Sequence, residues 1–180
     1  MVDSARPAVF LDRDGVLNES VVRNGRPYPP ACLADARLLP DAVESVRRLK
    51  VAGFVTVVVT NQPDVAKGIQ DRKVVDDINA MILHETKVDA VKVCWCQEGD
   101  DCPCYKPKPG MLLEASREMN LDISRSYMVG DRWRDIGAGI NAGCKTILIE
   151  WGYDESGPYR PDISVNSLAE AVDFILAASA

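Results

Sequence analysis

Short apolar runs alternate with amphipathic stretches along almost the whole chain. Val9-Phe10-Leu11 stops abruptly at Asp12-Arg13-Asp14-Gly15, as a strand buried on both faces does where it meets a turn. Residues 19–39 show no clear periodicity and carry Asn24-Gly25-Arg26-Pro27-Tyr28-Pro29-Pro30, so they are expected to form a long loop; a loop of that length in a compact domain is usually functional. Leu39-Pro40-Asp41 opens a helix with Val43, Val46, Leu49 and Lys50 at helical spacing, closed by Gly53. Phe54 to Val59 is nearly pure β-branched hydrophobe and predicts a second covered strand, ending in Thr60-Asn61-Gln62. A second amphipathic helix places Val74, Val75, Ile78 and Ile82 on one side, with His84 near its end.

Val88 to Val93 reads as a third strand, followed at once by a cysteine-rich loop. Lys106-Pro107-Lys108-Pro109-Gly110 leads into a helix from about Pro109, a residue suited to the first turn. Ser126 to Val129 is a fourth strand ending in Gly130-Asp131, Ile136 to Ala142 a short helix stopped by Gly143, and Thr146 to Ile149 a fifth strand. Leu168, Ala171, Val172, Ile175 and Leu176 mark a last helix. Strands alternating with helices predict a doubly wound, Rossmann-like parallel α/β sheet. Parallel strands joined by right-handed crossovers put Asp12 and Thr60 on the same rim, where ligands bind in such sheets.

Composition narrows the picture. At 180 residues, with 47% hydrophobic and 27% charged residues, the chain fits one globular domain spanning 1–180. A net charge of -6 argues against nucleic acid or an anionic membrane as partner. The amino terminus Met1-Val2-Asp3-Ser4-Ala5-Arg6-Pro7 lacks the apolar centre of a signal peptide, so a cytoplasmic protein is expected. Of six cysteines, Cys94, Cys96, Cys102 and Cys104 fall within eleven residues, a clustering that favours a metal over disulfides in a cytosolic chain. Cys32 and Cys144 are taken as ordinary buried small residues, and His84, the only histidine, as structural.

The chemistry follows from what gathers at the strand ends. Asp12 and Asp14 repel one another, so both stay ionised at neutral pH most easily beside a cation, and Mg²⁺ suits hard oxygen ligands and a phosphate. Thr60, Asn61, Lys106, Asp131 and Asp135 add hydroxyl, amide, ammonium and carboxylate to the same rim. Phosphoryl transfer needs this mixture, because charge spreading over the phosphoryl oxygens must be neutralised and the attacking group positioned. Asp12 is then the nucleophile, Asp14 the proton donor and later base, and Thr60 and Lys106 the groups that hold the phosphoryl oxygens. Asp12, Asp131 and the carbonyl of Asp14 are the metal ligands, with Asp135 orienting Lys106 or the Asp131 region.

These pieces, Asp12-Arg13-Asp14-Gly15, Thr60-Asn61, Lys106 and Gly130-Asp131-x-x-x-Asp135, resemble the haloacid dehalogenase-like phosphatases over nearly the whole chain. Within that superfamily, Val58-Val59-Thr60-Asn61-Gln62, Cys102-x-Cys104-x-Lys106-Pro107-x-Pro109-Gly110 and Met128-Val129-Gly130-Asp131 look like the branch of the D-glycero-D-manno-heptose 1,7-bisphosphate 7-phosphatases and histidinol-phosphatases. The resemblance implies a capless fold whose pocket is shaped by loops, one of them, about 94–104, holding zinc. It implies Mg²⁺-dependent removal of the C7 phosphate of a heptose bisphosphate, in the synthesis of nucleotide-activated heptose, through an aspartyl-phosphate. A small sugar phosphate is the expected partner and a monomer the expected state. Asn61, Gln62, Tyr105, Arg26 and Arg132 are the expected substrate contacts, with Arg134 a further cation nearby.

Two features depart from the family's pattern. Its zinc loop usually reads Cys-x-His then Cys-x-Cys, whereas Cys94-Trp95-Cys96 and Cys102-Pro103-Cys104 make a four-cysteine set, still a good tetrahedral site. Tyr105 stands where heptose phosphatases generally carry an arginine, and a phenol cannot offer a guanidinium fork to a second phosphate. Substrate and anomer preference therefore stay open at this level. Histidinol phosphate or another small sugar phosphate is the alternative substrate, and a catalytically silent zinc-stabilised binding protein the alternative of a different class.

Overall fold

The computed structural model describes residues 4–179. Met1 to Asp3 and Ala180 lie outside the described residues, and with them part of the amino-terminal stretch read above for a signal. The elements in order are β1 (Ala8–Leu11), β2 (Val21–Arg23), β3 (Arg26–Tyr28), α1 (Ala42–Val51), β4 (Val55–Asn61), α2 (Pro63–Ala66) and α3 (Arg72–Thr86). There follow β5 (Ala90–Cys94), α4 (Gly110–Met119), β6 (Tyr127–Gly130), α5 (Trp133–Ala142), β7 (Lys145–Ile149), β8 (Ile163–Val165) and α6 (Leu168–Ser179).

Six strands form one parallel sheet in the order β5-β4-β1-β6-β7-β8. Successive strand residues point to opposite faces, and each face has its own core. Val9, Leu11, Val58 and Val129 pack with Val46 and Leu49 of α1, Ile78 and Ile82 of α3, and Leu168, Val172 and Ile175 of α6. Phe10, Val57, Val59 and Met128 pack on the other side with Met111, Leu112 and Ala115 of α4 and Ala138 of α5. This is the doubly wound α/β architecture. The order runs one way from β1 through β4 to β5 and the other way through β6, β7 and β8, which places the topological switch between β1 and β6 and opens a crevice beyond their carboxyl ends.

Several expectations need correction. The stretch 19–39 is not an unstructured loop: β2 and β3 form an antiparallel hairpin, turned by Asn24 and Gly25 at φ 50° and 73°, the positive values a type I′ turn demands. A single 3₁₀ turn, Leu33–Asp35, follows it. The sheet has a sixth strand, β8, only three residues long and paired with β7 alone, too short for its alternation to register. Helix α5 begins at Trp133 rather than Ile136, whereas α4 starts at Gly110 with Pro109 as its N-cap, where it was expected. Val43 is exposed, the inward positions of α1 being Ala42, Ser45, Val46 and Leu49. Cys32 is only partly buried, its sulfur 3.2 Å from Asp35 Oδ2, while Cys144 is buried as expected.

Phe10, fully buried in the central strand, is a direct probe of this arrangement. Phe10→Ala is expected to cost about 3–5 kcal/mol, read as a lower urea midpoint at unchanged slope; an unaltered midpoint contradicts the two-core packing.

Candidate active site

Asp12, the first residue beyond β1, Thr60 and Asn61 at the end of β4, and Asp131, the first beyond β6, converge on the crevice. Lys106 reaches the same place from the segment between β5 and α4, and Asp135 from the first turn of α5. The Lys106 ammonium is buried and uses all three of its donors: Asp12 Oδ1 at 2.8 Å, Asp135 Oδ1 at 2.5 Å and the Val59 carbonyl at 2.8 Å. Burial works against that charge, but the carboxylates of Asp12 and Asp135 outweigh it and hold the lysine above its ordinary pKa. The second oxygen of Asp135 accepts from the Arg132 amide at 3.0 Å, so this carboxylate both caps α5 and grips the lysine.

Asp131 is the opposite case. Both of its carboxylate oxygens are buried with no hydrogen-bond partner among the described residues, and one oxygen each from Asp12, Asp131 and Asp135 lie within 4.8 Å of one another. Burial, then the charges of Asp12 and Asp135, raises Asp131 well above the usual carboxylate range; burial and the Asp12 charge push Asp135 up to about 6 against the pull of Lys106. Three crowded carboxylates share one ammonium. A divalent cation of oxygen-ligand type fits this donor set, because it would satisfy the orphaned Asp131 oxygens and remove the repulsion. Gly15 belongs to the same construction: it sits at φ +87°, and a Cβ there would overlap the Asp131 carboxylate. Tyr153 lies beside Asp131 without completing a hydrogen bond to it, and burial followed by the Asp131 charge keeps its phenol protonated.

The Asp14 side chain turns away from the Lys106 cluster. Its Oδ2 accepts from Arg13 Nη2 at 2.8 Å, Arg13 Nε at 3.1 Å and Gln62 Nε2 at 3.2 Å, and its Oδ1 from Asn18 Nδ2 at 3.1 Å. Gln62 also donates to Thr60 Oγ1 at 2.9 Å, which leaves the Thr60 hydrogen available for another acceptor. Asn61 is occupied differently from the expected phosphate contact: its Oδ1 accepts from the Lys106 amide at 3.1 Å and its Nδ2 donates to the Lys106 carbonyl at 3.2 Å, so both ends of the amide pin the lysine backbone.

A pocket of about 280 Å³ opens over these groups and is walled by Arg26, Gln62, Tyr105, Arg132 and Arg134 among others. The substrate residues expected from the sequence thus share one cavity. Arg132 is committed, donating twice to Glu155 at 2.7 and 2.6 Å. Arg134 gives Nη2 to Glu98 at 2.9 Å, lies over the Trp133 and Tyr105 rings, and keeps a buried Nη1 with no partner among the described residues. Arg13, Asn18 and Asn79 were missed as candidates; the adjacency of Arg13 to Asp14 was visible in the chain, whereas Asn79 is 66 positions from its partner and gave no signal.

The four cysteines come together behind Lys106. All are free thiols, and Cys94 to Cys102 and Cys96 to Cys104 are each 3.8 Å between sulfurs. Zn–S bonds of about 2.3 Å at tetrahedral angles set sulfurs about 3.8 Å apart. Cys102 and Cys104 are nearer, at 2.9 Å, still far from a disulfide bond. Burial pushes Cys94 up to about 12; for Cys102 burial is outweighed by hydrogen bonds from Cys104, Cys96 and backbone amides, which bring it down to about 7. The zinc that the sulfur geometry suits would therefore displace protons on binding.

Comparison with known proteins agrees with this geometry. A family model described as HAD-hydrolase-like matches residues 103–171. The D-glycero-D-manno-heptose-1,7-bisphosphate 7-phosphatase of Thermosynechococcus vestitus is 37% identical over 94% of this chain and 95% of its own length. The D-glycero-beta-D-manno-heptose-1,7-bisphosphate 7-phosphatase of Pasteurella multocida is 33% identical over 92% of this chain and 94% of its own. Among solved structures, the D,D-heptose 1,7-bisphosphate phosphatase of B. bronchiseptica, complexed with magnesium and phosphate, superposes with a TM-score of 0.80 at 27% identity, covering 96% of this chain and 99% of that one. With this fold, this strand-end constellation and this degree of identity over nearly its full length, the chain belongs to the heptose-bisphosphate phosphatase branch of the haloacid dehalogenase-like hydrolases.

Proposed function

We propose that this chain hydrolyses the C7 phosphate of D-glycero-D-manno-heptose 1,7-bisphosphate. The observation that carries the reading is the buried Asp12–Lys106–Asp135 bridge beside an unpartnered Asp131, in a chain 37% identical to a phosphatase of that name. Asp12 attacks phosphorus through the oxygen not held by Lys106, the bond to the sugar oxygen breaks, and Asp14 supplies the proton that oxygen takes up. Asp14 then removes a proton from the water that cleaves the aspartyl-phosphate. Thr60 donates its hydroxyl to a phosphoryl oxygen, and Lys106 adds its charge. Mg²⁺ held by Asp12, Asp131 and the Asp14 carbonyl would, when bound, neutralise charge on the phosphoryl oxygens.

The second phosphate needs a cation. With Tyr105 in place of an arginine and Arg132 tied to Glu155, Arg134 and Arg26, which both line the pocket, are the arginines left to meet it. Asn61 and Gln62 serve by fixing Lys106 and Asp14. Cys94, Cys96, Cys102 and Cys104 would hold zinc, which would fix the loop that leads into Tyr105 and Lys106. The same reading makes the chain a single-domain cytoplasmic monomer. Two cores on one sheet support the single domain, and four free thiols suit a reducing compartment. No helix among the described residues is long and apolar enough to cross a membrane.

Asp12→Asn is expected to lower phosphate release about 10³-fold or more, and unaltered turnover contradicts the mechanism. Wild-type kcat/KM should favour the heptose bisphosphate over histidinol phosphate by about tenfold or more, or about 1.4 kcal/mol; the reverse preference overturns the substrate. Elemental analysis of purified protein should find one zinc per chain, released as pH falls because protons compete for the thiolates. Cys102→Ser should lose the metal and lower the thermal midpoint; a metal-free wild type in which all six thiols titrate, the four of the cluster included, contradicts the zinc site.

A further inference from the structure

We infer that Arg13, gripped by Asn79 of α3, is a positioning residue that sets the Asp14 carboxylate for proton transfer. This rests on the proposed role of Asp14. Arg13 is fully buried although it lies beside the catalytic pocket, and no step of the reaction uses it. Its guanidinium is nonetheless fully aimed: Nε and Nη2 fork onto Asp14 Oδ2 at 3.1 and 2.8 Å, and Nη1 donates to Asn79 Oδ1 at 3.0 Å. Asn79 is buried in the middle of α3, next to Ile78, which belongs to the core beneath the sheet.

Burying a cation is costly unless it is paired and hydrogen-bonded, and a salt bridge between sequence neighbours is a poor return for that cost if stability alone is at stake. A planar guanidinium does something a lysine could not: two of its N–H groups converge on Oδ2 while a third is held by Asn79, and with Asn18 Nδ2 on Oδ1 the plane of the carboxylate is fixed as well as its place. With Oδ2 taken by three donors, the carboxyl cannot rotate about its own axis without breaking them. Asn79 fixes the fork in turn, so the orientation of Asp14 is referred to α3 and the sheet core rather than to its own loop.

A group that delivers a proton to a leaving oxygen matters most where that oxygen leaves as a poor alkoxide and little where it leaves as a stabilised phenolate. The test is therefore kcat/KM, which reports steps up to formation of the aspartyl-phosphate, on a sugar phosphate and on p-nitrophenyl phosphate. Asn79→Leu removes the acceptor and Asn79→Asp keeps it, with Asp14→Asn as reference. Asn79→Leu should lower kcat/KM on the sugar phosphate about tenfold or more while changing p-nitrophenyl phosphate less than about threefold, with KM little altered and Asn79→Asp restoring most of the loss. An equal loss on both substrates, or none, overturns the inference while Asp14→Asn still discriminates between them. If Asp14→Asn itself fails to discriminate, the role of Asp14 falls and the inference with it. Arg13→Lys, which retains the charge without the fork, should behave like Asn79→Leu.

Discussion

Three carboxylates and one ammonium, all largely buried, have to coexist at the carboxyl edge of β1, β4 and β6. Lys106 satisfies Asp12 and Asp135 and spends its last donor on the Val59 carbonyl, so nothing remains for Asp131. Buried charge is costly unless paired, and the fold around it is arranged to keep these groups together despite their repulsion. Gly15 admits the Asp131 carboxylate where no side chain would fit. Asn61 clamps the backbone of Lys106 from both sides, and Asp135 is fixed through the Arg132 amide at the start of α5. The surplus of negative charge is what a divalent cation would answer.

The supports of this cluster come from distant parts of the chain. The thiol cluster bridges the end of β5 and the segment 102–104, immediately before Tyr105 and Lys106, so order in that loop passes directly to the lysine. The loop after β7 returns to the pocket: Trp151 Nε1 donates to the Gly15 carbonyl at 2.8 Å, the Asp154 amide to the Gly25 carbonyl at 2.8 Å, and Glu155 accepts the Arg132 fork. Hairpin, catalytic turn and the start of α5 are thereby laced by one segment. The pocket walls are loops, but each is tied to a strand end or a helix start.

The parts legible in the sequence were those with strong local signals. The β-branched run 54–59 and the apolar stripe of α6 declare themselves by composition and spacing, and the ordered acidic, hydroxyl and lysine pieces at strand ends mark the rim. What escaped has physical reasons. Pro27, Pro29 and Pro30 give the hairpin segment the composition of a loop, which masks its two short strands, although Asn24-Gly25 is a turn signal in its own right. β8 is three residues long and has only one neighbour, so periodicity could not show it. Val43 sits one position off the buried stripe of α1, a boundary error that helical spacing alone cannot exclude. Pairings such as Arg13 with Asn79, or Glu155 with Arg132, join positions far apart in the chain and follow only from the fold.

Calorimetric titration of the purified chain with Mg²⁺ tests the charge argument most directly, because it needs no substrate. Wild type should bind one ion, and Asp131→Asn, which removes a charge while keeping the shape, should weaken that binding about tenfold or more, corresponding to about 1.4 kcal/mol. Equal affinity in the two proteins, or no binding by the wild type, would mean that the buried carboxylates are balanced in some other way and would contradict the account.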